Sequence, residues 1–142
     1  MINFEGTWIL VQRENYEEYV LAVWGMKIKK KKIKKGKVKQ IIRQEGNIIK
    51  TIEELKVFGN IVEMKNDYIA DGMTKNNTKI LGLNGFKNLD SISSFKDDKF
   101  IVEGIGAHGE FRIERFLENE MLVQVETFVP KNISTKFYYQ KQ

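Results

Sequence analysis

The feature that most constrains the fold is a series of turn signals, about eight to twelve residues apart, that follows Gly36. Glycine, asparagine and aspartate mark these turns, since they tolerate the backbone conformations that tight turns require. Tight turns cannot make parallel crossovers, so the strands between them are expected to be antiparallel neighbours. The predicted turns lie at residues 44–47, 58–60, 66–67, 96–99, 107–110, 118–120 and 130–132.

Helix signals are confined to the segment before this series. Asn15 can N-cap a helix over residues 16–24, with Glu18 at the capping-box position and Gly25 as a C-terminal stop. Residues 26–35 could form a second short helix. Sequential hairpins with one early helical pair are typical of an all-β, up-and-down barrel.

Length and composition narrow the classes of protein. A chain of 142 residues is expected to be a single domain, residues 1–142, with a real core. It has no cysteine and one histidine, so no metal or other cofactor is expected. It also lacks an apolar run long enough to span a membrane and a signal-peptide pattern at its start. We therefore expect a cytoplasmic protein that acts as a monomer.

Nine lysines lie in residues 27–39, with no acidic residue among them. The chain carries 24 basic and 19 acidic residues, so without this run it would have 15 basic residues and be mildly acidic. A cationic run of this kind attracts a polyanion, either a nucleic acid or an anionic membrane surface. It could also serve as a nuclear import signal. The run lacks the arginines and interleaved aromatic residues that favour base contacts, which argues against nucleic acid.

No arrangement of residues predicts catalysis. His108 lies in a predicted turn, and Asp97 and Asp98 form a turn pair. The acidic pairs at 17–18 and 53–54 are sequence neighbours, which does not bring them to one site. Because an enzyme would need a nucleophile with its base, a paired acid or a metal cage, we expect a non-enzyme.

Two motifs carry a resemblance to a known family. Phe-Glu-Gly-Thr-Trp at 4–8, followed by Asn-Tyr-Glu-Glu-Tyr at 15–19, is similar to the opening of the intracellular fatty-acid-binding proteins, within the calycin superfamily. Ser-Thr-Lys-Phe-Tyr at 134–138 resembles the family's closing strand. The resemblance implies a ten-stranded antiparallel barrel with a helix-turn-helix lid, about residues 15–36, between the first two strands. The chain departs from the family in an extended portal-side loop at about 75–90, which could extend the hairpin of the fifth and sixth strands, cover the entrance or have no role.

The resemblance and the alternation of residues agree on one interior cation. Arg115 shares its face with Phe111 and Ile113, whereas Arg112 and Glu114 occupy the other face. An arginine inside a barrel requires an anion or a polar partner. The resemblance implies that Arg115 is the arginine that holds the ligand carboxylate.

The last strand gives conflicting indications. The resemblance places Lys136 and Tyr138 in the interior as further carboxylate ligands. Alternation instead makes Thr135, Phe137 and Tyr139 the more apolar face. The resemblance is preferred here, because a barrel that binds a headgroup must hold polar residues inside.

Further cavity and portal residues follow from the same reasoning. The resemblance places Tyr16, Tyr19 and Val20 on the inner side of the first helix, and Val57 and Phe58 at the portal turn. Alternation predicts that Val123, Val125 and Thr127 face inward.

These observations predict a carrier of long-chain fatty acids or similar acyl ligands. A retinoid or another hydrophobic ligand is the alternative within the family, and a nucleic-acid-binding protein is the alternative from another class. The lysines of the lid, with Lys29, Lys30, Lys31 and Lys32 at their centre, are expected to contact anionic membranes during ligand transfer.

Overall fold

A computed structural model describes residues 2–24, 36–57, 59–82, 85–106 and 109–142 of the chain. Within them lie ten strands and one α-helix, which confirms the prediction of an all-β barrel with a helix between the first two strands. The second predicted helix lies outside the described residues. The elements are β1 (Gly6–Glu14), α1 (Tyr16–Trp24), β2 (Gly36–Glu45), β3 (Ile48–Val57), β4 (Asn60–Ile69), β5 (Lys75–Gly82), β6 (Gly85–Lys96), β7 (Lys99–Gly106), β8 (Gly109–Glu118), β9 (Met121–Phe128) and β10 (Ile133–Lys141).

The strands form one antiparallel sheet in the order β4-β3-β2-β1-β10-β9-β8-β7-β6-β5. Strand β1 joins the first and last parts of the chain, because it pairs with β2 on one side and with β10 on the other. Every other pairing connects strands that follow each other in sequence, as short hairpins require. The edge strands β4 and β5 come together and nearly close the barrel.

One expectation for the middle of the chain is wrong. The turn predicted at 66–67 lies inside β4, because Met64, Asn66 and Tyr68 alternate inward along an unbroken strand. The chain turns later, where the Asp71 carboxylate accepts hydrogen bonds from the backbone N–H groups of Met73 (2.8 Å) and Thr74 (2.7 Å). The extension predicted at about 75–90 lies in the hairpin of β5 and β6, which was one of its two expected forms, and its role at the portal stays a prediction.

One end of the interior is filled by four aromatic rings, here called the aromatic cluster: Phe4, Tyr68, Phe95 and Phe100. Phe4 stacks on Phe95 with ring centroids 6.5 Å apart, and Phe95 and Tyr68 contact Phe100 at 5.5 and 5.4 Å. Phe4 and Phe100 are fully buried. These rings supply the large apolar area that a domain of this size needs to bury.

Helix α1 lies across the opposite end of the interior and is tied to β10. The carbonyl of Asn15 accepts the N–H of Tyr19 (3.2 Å), and the Asn15 side-chain amide donates to the carbonyl of Ser134 (2.9 Å). Tyr16 then packs edge-on against Phe137, with ring centroids 5.7 Å apart. No helix among the described residues is long and apolar enough to cross a membrane.

Candidate functional site

A cavity of about 100 Å³ lies in the barrel beneath α1. The helix contributes Tyr16, Tyr19 and Val20 to its wall, and contact of these residues with a ligand stays a prediction. Apolar side chains from the strands, such as Leu55 and Ile113, line other parts of it. The cavity is therefore largely enclosed and mostly apolar, with a small group of polar residues on one side.

Those polar residues include four charged side chains, here called the buried charge cluster: Lys37, Glu53, Arg115 and Glu126. The Lys37 ammonium lies 2.9 Å from a Glu53 carboxylate oxygen and 2.8 Å from a Glu126 oxygen. The Arg115 Nη2 lies 3.3 Å from the other Glu53 oxygen. All four residues line the cavity. The cluster thus consists of two cations matched by two anions.

Two buried glutamines add hydrogen bonds to this cluster. Gln40 accepts from the Arg115 Nε (3.3 Å) and donates to the side-chain oxygen of Gln124 (2.8 Å). The Gln124 amide nitrogen donates to Glu53 (3.1 Å) and to Glu126 (3.0 Å). These hydrogen bonds offset part of the cost of burying the charged groups.

The shifts in pKa of Glu53 and Lys37 favour the charged form of each side chain. Burial alone would raise the pKa of the Glu53 carboxyl, but Lys37 and Arg115, with hydrogen bonds from Lys37 and Gln124, hold it below its usual value. Burial would likewise lower the pKa of the Lys37 ammonium, and the carboxylates of Glu126 and Glu53 raise it instead. Burial raises the pKa of Tyr68 to about 12, so this nearby phenol stays neutral.

Arg115 lies in the interior, as the alternation of β8 indicates, and is 1% exposed. Its partner in the interior is the carboxylate of Glu53, a residue of the protein itself. The guanidinium also lies 5.7 Å from the centre of the Phe100 ring. Binding of a ligand carboxylate by Arg115 stays a prediction, and it now has to account for the partner already present.

The inward placement of Lys136 and Tyr138 is wrong. Lys136 is exposed and Tyr138 is half-buried, whereas Phe137 and Tyr139 are buried in the core. Pairing between β9 and β10 places Phe137 opposite the inward Gln124, so its sequence neighbours must point outward. Alternation along β10 was therefore the better guide than the family motif.

The predicted inner face of β9 is also wrong. Leu122 belongs to the core, Glu126 belongs to the buried charge cluster, and Gln124 donates a hydrogen bond to Glu53. The even-numbered residues therefore face inward. Val123 is buried but pairs with Tyr138 on the outer face, and Val125 pairs with Lys136 there. Thr127 follows them, with its hydroxyl 2.7 Å from that of Ser134. Hydrophobicity does not predict the inward face of β9, because the interior beside this strand is polar.

The portal residues are only partly covered by the structure. Val57 is half-buried at the end of β3 and does not line the cavity. Phe58 and the lysines at 29–32 lie outside the described residues, so their predicted roles stay predictions.

The cavity reaches the junction between β4 and β5, where side chains replace the backbone ladder. The Asn66 side chain donates to the carbonyl of Lys79 (3.0 Å) and accepts from its N–H (2.7 Å). Asn76 accepts from the N–H of Ile69 (3.0 Å). Asn66 and Lys79 both line the cavity. Among the described residues, fewer hydrogen bonds hold this junction than hold a paired strand.

Sequence reasoning missed Lys37, Gln40, Glu53, Gln124 and Glu126 as interior residues. A signal did exist on β3, where Ile49, Thr51, Glu53 and Leu55 alternate with exposed or half-buried residues. A charge within such an apolar series predicts a buried partner of opposite sign. The pairing of Glu53 with Arg115 follows from that rule once both strands are known to face one interior.

Comparisons with known proteins find the fold but no close relative. No protein-family model matches the chain, and no curated protein matches it. Among solved structures, human cRBP IV has a TM-score of 0.74 at 15% identity, with 100% of each chain covered. Lipid binding protein 8 of Caenorhabditis elegans has a TM-score of 0.70 at 20% identity, covering 98% of this chain and 95% of that one.

A third similar structure, the REP1-NXSQ fatty acid transporter, has a TM-score of 0.69 at 15% identity. It covers 97% of this chain and 95% of its own. Identities this low establish the fold alone. The chain therefore has the ten-stranded barrel fold of the intracellular lipid-binding proteins that its sequence resembles.

Proposed function

We propose that this protein is a non-enzymatic carrier that binds one long-chain hydrophobic ligand, a fatty acid or a similar acyl compound, in the barrel interior and carries it through the cytoplasm. The observation that carries the proposal is the enclosed, mostly apolar cavity beneath α1. Two of the similar structures are described as a fatty acid transporter and a lipid binding protein, which supports the same class of ligand.

The acyl chain would supply most of the affinity. Burying about 14 methylenes at ~0.8 kcal/mol each gives a gross gain of roughly 11 kcal/mol. Loss of translational freedom and ordering of side chains take back several kcal/mol, which leaves micromolar to nanomolar binding.

The cavity of about 100 Å³ is smaller than the roughly 300–1,000 Å³ of common ligand sites. Binding therefore requires the interior to expand. The β4–β5 junction and the contact of α1 with β10 are the places where this expansion costs least, because side-chain contacts hold them.

A cavity-filling variant tests the proposal. Ile113→Trp places a large ring in the cavity and should cost at least tenfold in affinity for a fluorescent fatty-acid probe in a displacement titration. Ile105→Trp, on the exposed face of β7, serves as the matched control and should bind as the wild type does. Equal affinity of both variants, with both folded by circular dichroism, would place the ligand elsewhere and reject the proposal.

Mass spectrometry of lipid co-purified with the protein separates the two ligand classes. An acyl lipid supports the proposal, and a retinoid supports the alternative within the same fold. The technique requires no assumption about the headgroup, so it complements the probe titration.

We further propose that the lysine run of the lid brings the protein to anionic membranes for ligand transfer. The sequence carries this part, since the seven lysines in residues 27–35 attract an anionic surface by up to about 1 kcal/mol each before screening. Lys37 and Lys39, which follow on β2, are paired with Glu53 and Glu54 instead. Replacing Lys29, Lys30, Lys31 and Lys32 by glutamine should slow transfer to anionic vesicles at unchanged ligand affinity.

A control with the same change of net charge replaces four exposed lysines on the strands: Lys50, Lys56, Lys65 and Lys96. That variant should transfer ligand at the rate of the wild type. If the rate ignores both vesicle charge and vesicle concentration, the ligand leaves through water and the membrane step is rejected.

A further inference from the structure

Among the described residues, the buried charges of the cavity wall are already balanced before any ligand binds. This balance restricts the polar end that a ligand can bring. We infer that the interior selects ligands whose polar end is an uncharged hydrogen-bond acceptor, such as an amide, ester or aldehyde carbonyl, over a free carboxylate. This inference rests on the proposed function, because it concerns the ligand of the same cavity.

The buried charge cluster contains equal numbers of positive and negative side chains. Lys37 and Arg115 contribute two positive charges, and Glu53 and Glu126 contribute two negative ones, all in the cavity wall. Lys79 also lines the cavity, but it is exposed, so its charge is not part of this buried balance. The neighbouring phenols of Tyr19 and Tyr139 add no charge, since burial raises the pKa of both. A ligand carboxylate would leave one uncompensated negative charge close to Glu53, in surroundings where charges are weakly screened.

A ligand carboxylate could in principle displace Glu53 from Arg115. Glu53 is also held by Lys37 at 2.9 Å and by Gln124 at 3.1 Å, and its side chain is 2% exposed. Displacement would break these contacts and leave the Glu53 charge buried. The protein carboxylate is thus anchored in the position that a ligand carboxylate would need.

One donor of Arg115 is left to bind a ligand. The Arg115 Nη1 is buried and has no hydrogen-bond partner among the described residues, although Nε and Nη2 are both engaged. A guanidinium nitrogen only donates hydrogen bonds. A matching ligand atom must therefore accept a hydrogen bond, as a carbonyl oxygen does and an ammonium group does not. A neutral acceptor satisfies this donor without disturbing the charge balance.

A series of ligands with one chain length tests the inference. Hexadecanoic acid, hexadecanamide and hexadecylamine share a sixteen-carbon chain and differ at the polar end. Each is titrated at pH 8 against the wild-type protein by displacement of a neutral fluorescent lipid probe. The amide should bind at least tenfold more tightly than the acid, and the amine most weakly.

Removing one anion should shift the preference towards the acid. Glu53→Gln keeps the size and the hydrogen-bonding capacity of the side chain but leaves a net positive charge in the cluster, so the ratio of acid to amide affinity should rise at least tenfold. Glu54→Gln is the matched control, since Glu54 pairs across the outer face with Lys39 at 3.8 Å, and the ratio should stay that of the wild type.

Tighter binding of the acid than of the amide to the wild-type protein overturns the inference, and this measurement stands even if Glu53→Gln fails to fold. An unchanged ratio in folded Glu53→Gln overturns it as well. Failure of all three ligands and of the probe to bind rejects the proposed function itself, which distinguishes the two failures.

Discussion

The aromatic cluster and the buried charge cluster each bring four buried or half-buried side chains into the same barrel, yet they are stabilised in opposite ways. They even meet, because Phe100 and Arg115 face each other across β7 and β8. The aromatic rings gain from burial whatever their exact neighbours are, since the hydrophobic effect is not directional. The charged groups gain only through each other, because a buried charge without its partner is strongly unfavourable.

This difference predicts that substitutions in the two clusters lower the unfolding free energy for different reasons. Loss of a ring leaves a cavity whose cost depends on its size. Loss of one charge leaves a partner unpaired, and the cost depends on which partners remain.

Phe100→Ala should lower the free energy of unfolding by about 4 kcal/mol, because it removes a fully buried ring that contacts both Phe95 and Tyr68. Phe116→Ala is the matched control, since Phe116 is a half-buried phenylalanine on the outer face of β8, and its cost should be under half as large. Urea unfolding followed by tryptophan fluorescence measures both. Equal costs would mean that the aromatic cluster is not the centre of the core.

Glu53→Gln should cost about 3 kcal/mol, because it leaves Arg115 without its anion while Lys37 keeps Glu126. Glu54→Gln should change the unfolding free energy by less than about 0.5 kcal/mol, as expected of a partly exposed ion pair. Adding Arg115→Met to Glu53→Gln should recover part of the loss. Additive losses in this double-mutant cycle would contradict the coupling of the two charges.

The pH dependence of the unfolding free energy should also reflect the pairing of Glu53 with Lys37 and Arg115. The pKa of Glu53 in the folded chain lies below its usual value of 4.5, so its contribution is present above that pH and is lost as the pH falls through the folded pKa. Lys37 has a raised pKa, so its contribution persists at every pH below its usual value of 10.5. Wild-type protein should therefore lose more stability between pH 7 and pH 3 than Glu53→Gln does. Parallel curves from chemical unfolding would rule out this role.

Asn66→Ala should cost about 1–2 kcal/mol, because two hydrogen bonds to the backbone of Lys79 are lost at the β4–β5 junction. The Lys79 amide should then exchange its hydrogen faster than in the wild type, as measured by NMR. Asn77→Ala, an exposed position on β5, should leave this exchange rate unchanged. A Lys79 amide that is equally protected in both variants would show that other contacts hold the junction.

Features that depend on neighbouring residues in the sequence could be predicted, whereas features that depend on contacts between distant strands could not. Turns such as those at 46–47 and 97–98 are local, so glycine and aspartate residues located them correctly. The turn predicted at 66–67 failed because Asn66 uses its amide to bridge two strands rather than to reverse the chain. The same side-chain chemistry suits both roles, and only the neighbouring strand decides between them.

By itself, the sequence determined the antiparallel hairpins, the helix between β1 and β2, and an interior arginine at 115, because these follow from turn chemistry, capping and alternation within short windows. Only the tertiary structure decided which face of β9 and β10 points inward, since a shift of one residue exchanges the two faces and hydrophobicity is a poor guide where the interior is polar. It also decided that Arg115 is paired with Glu53 and that Lys37 joins Glu53 to Glu126. These groups lie on four different strands, so their charges balance only once the barrel has brought the strands together.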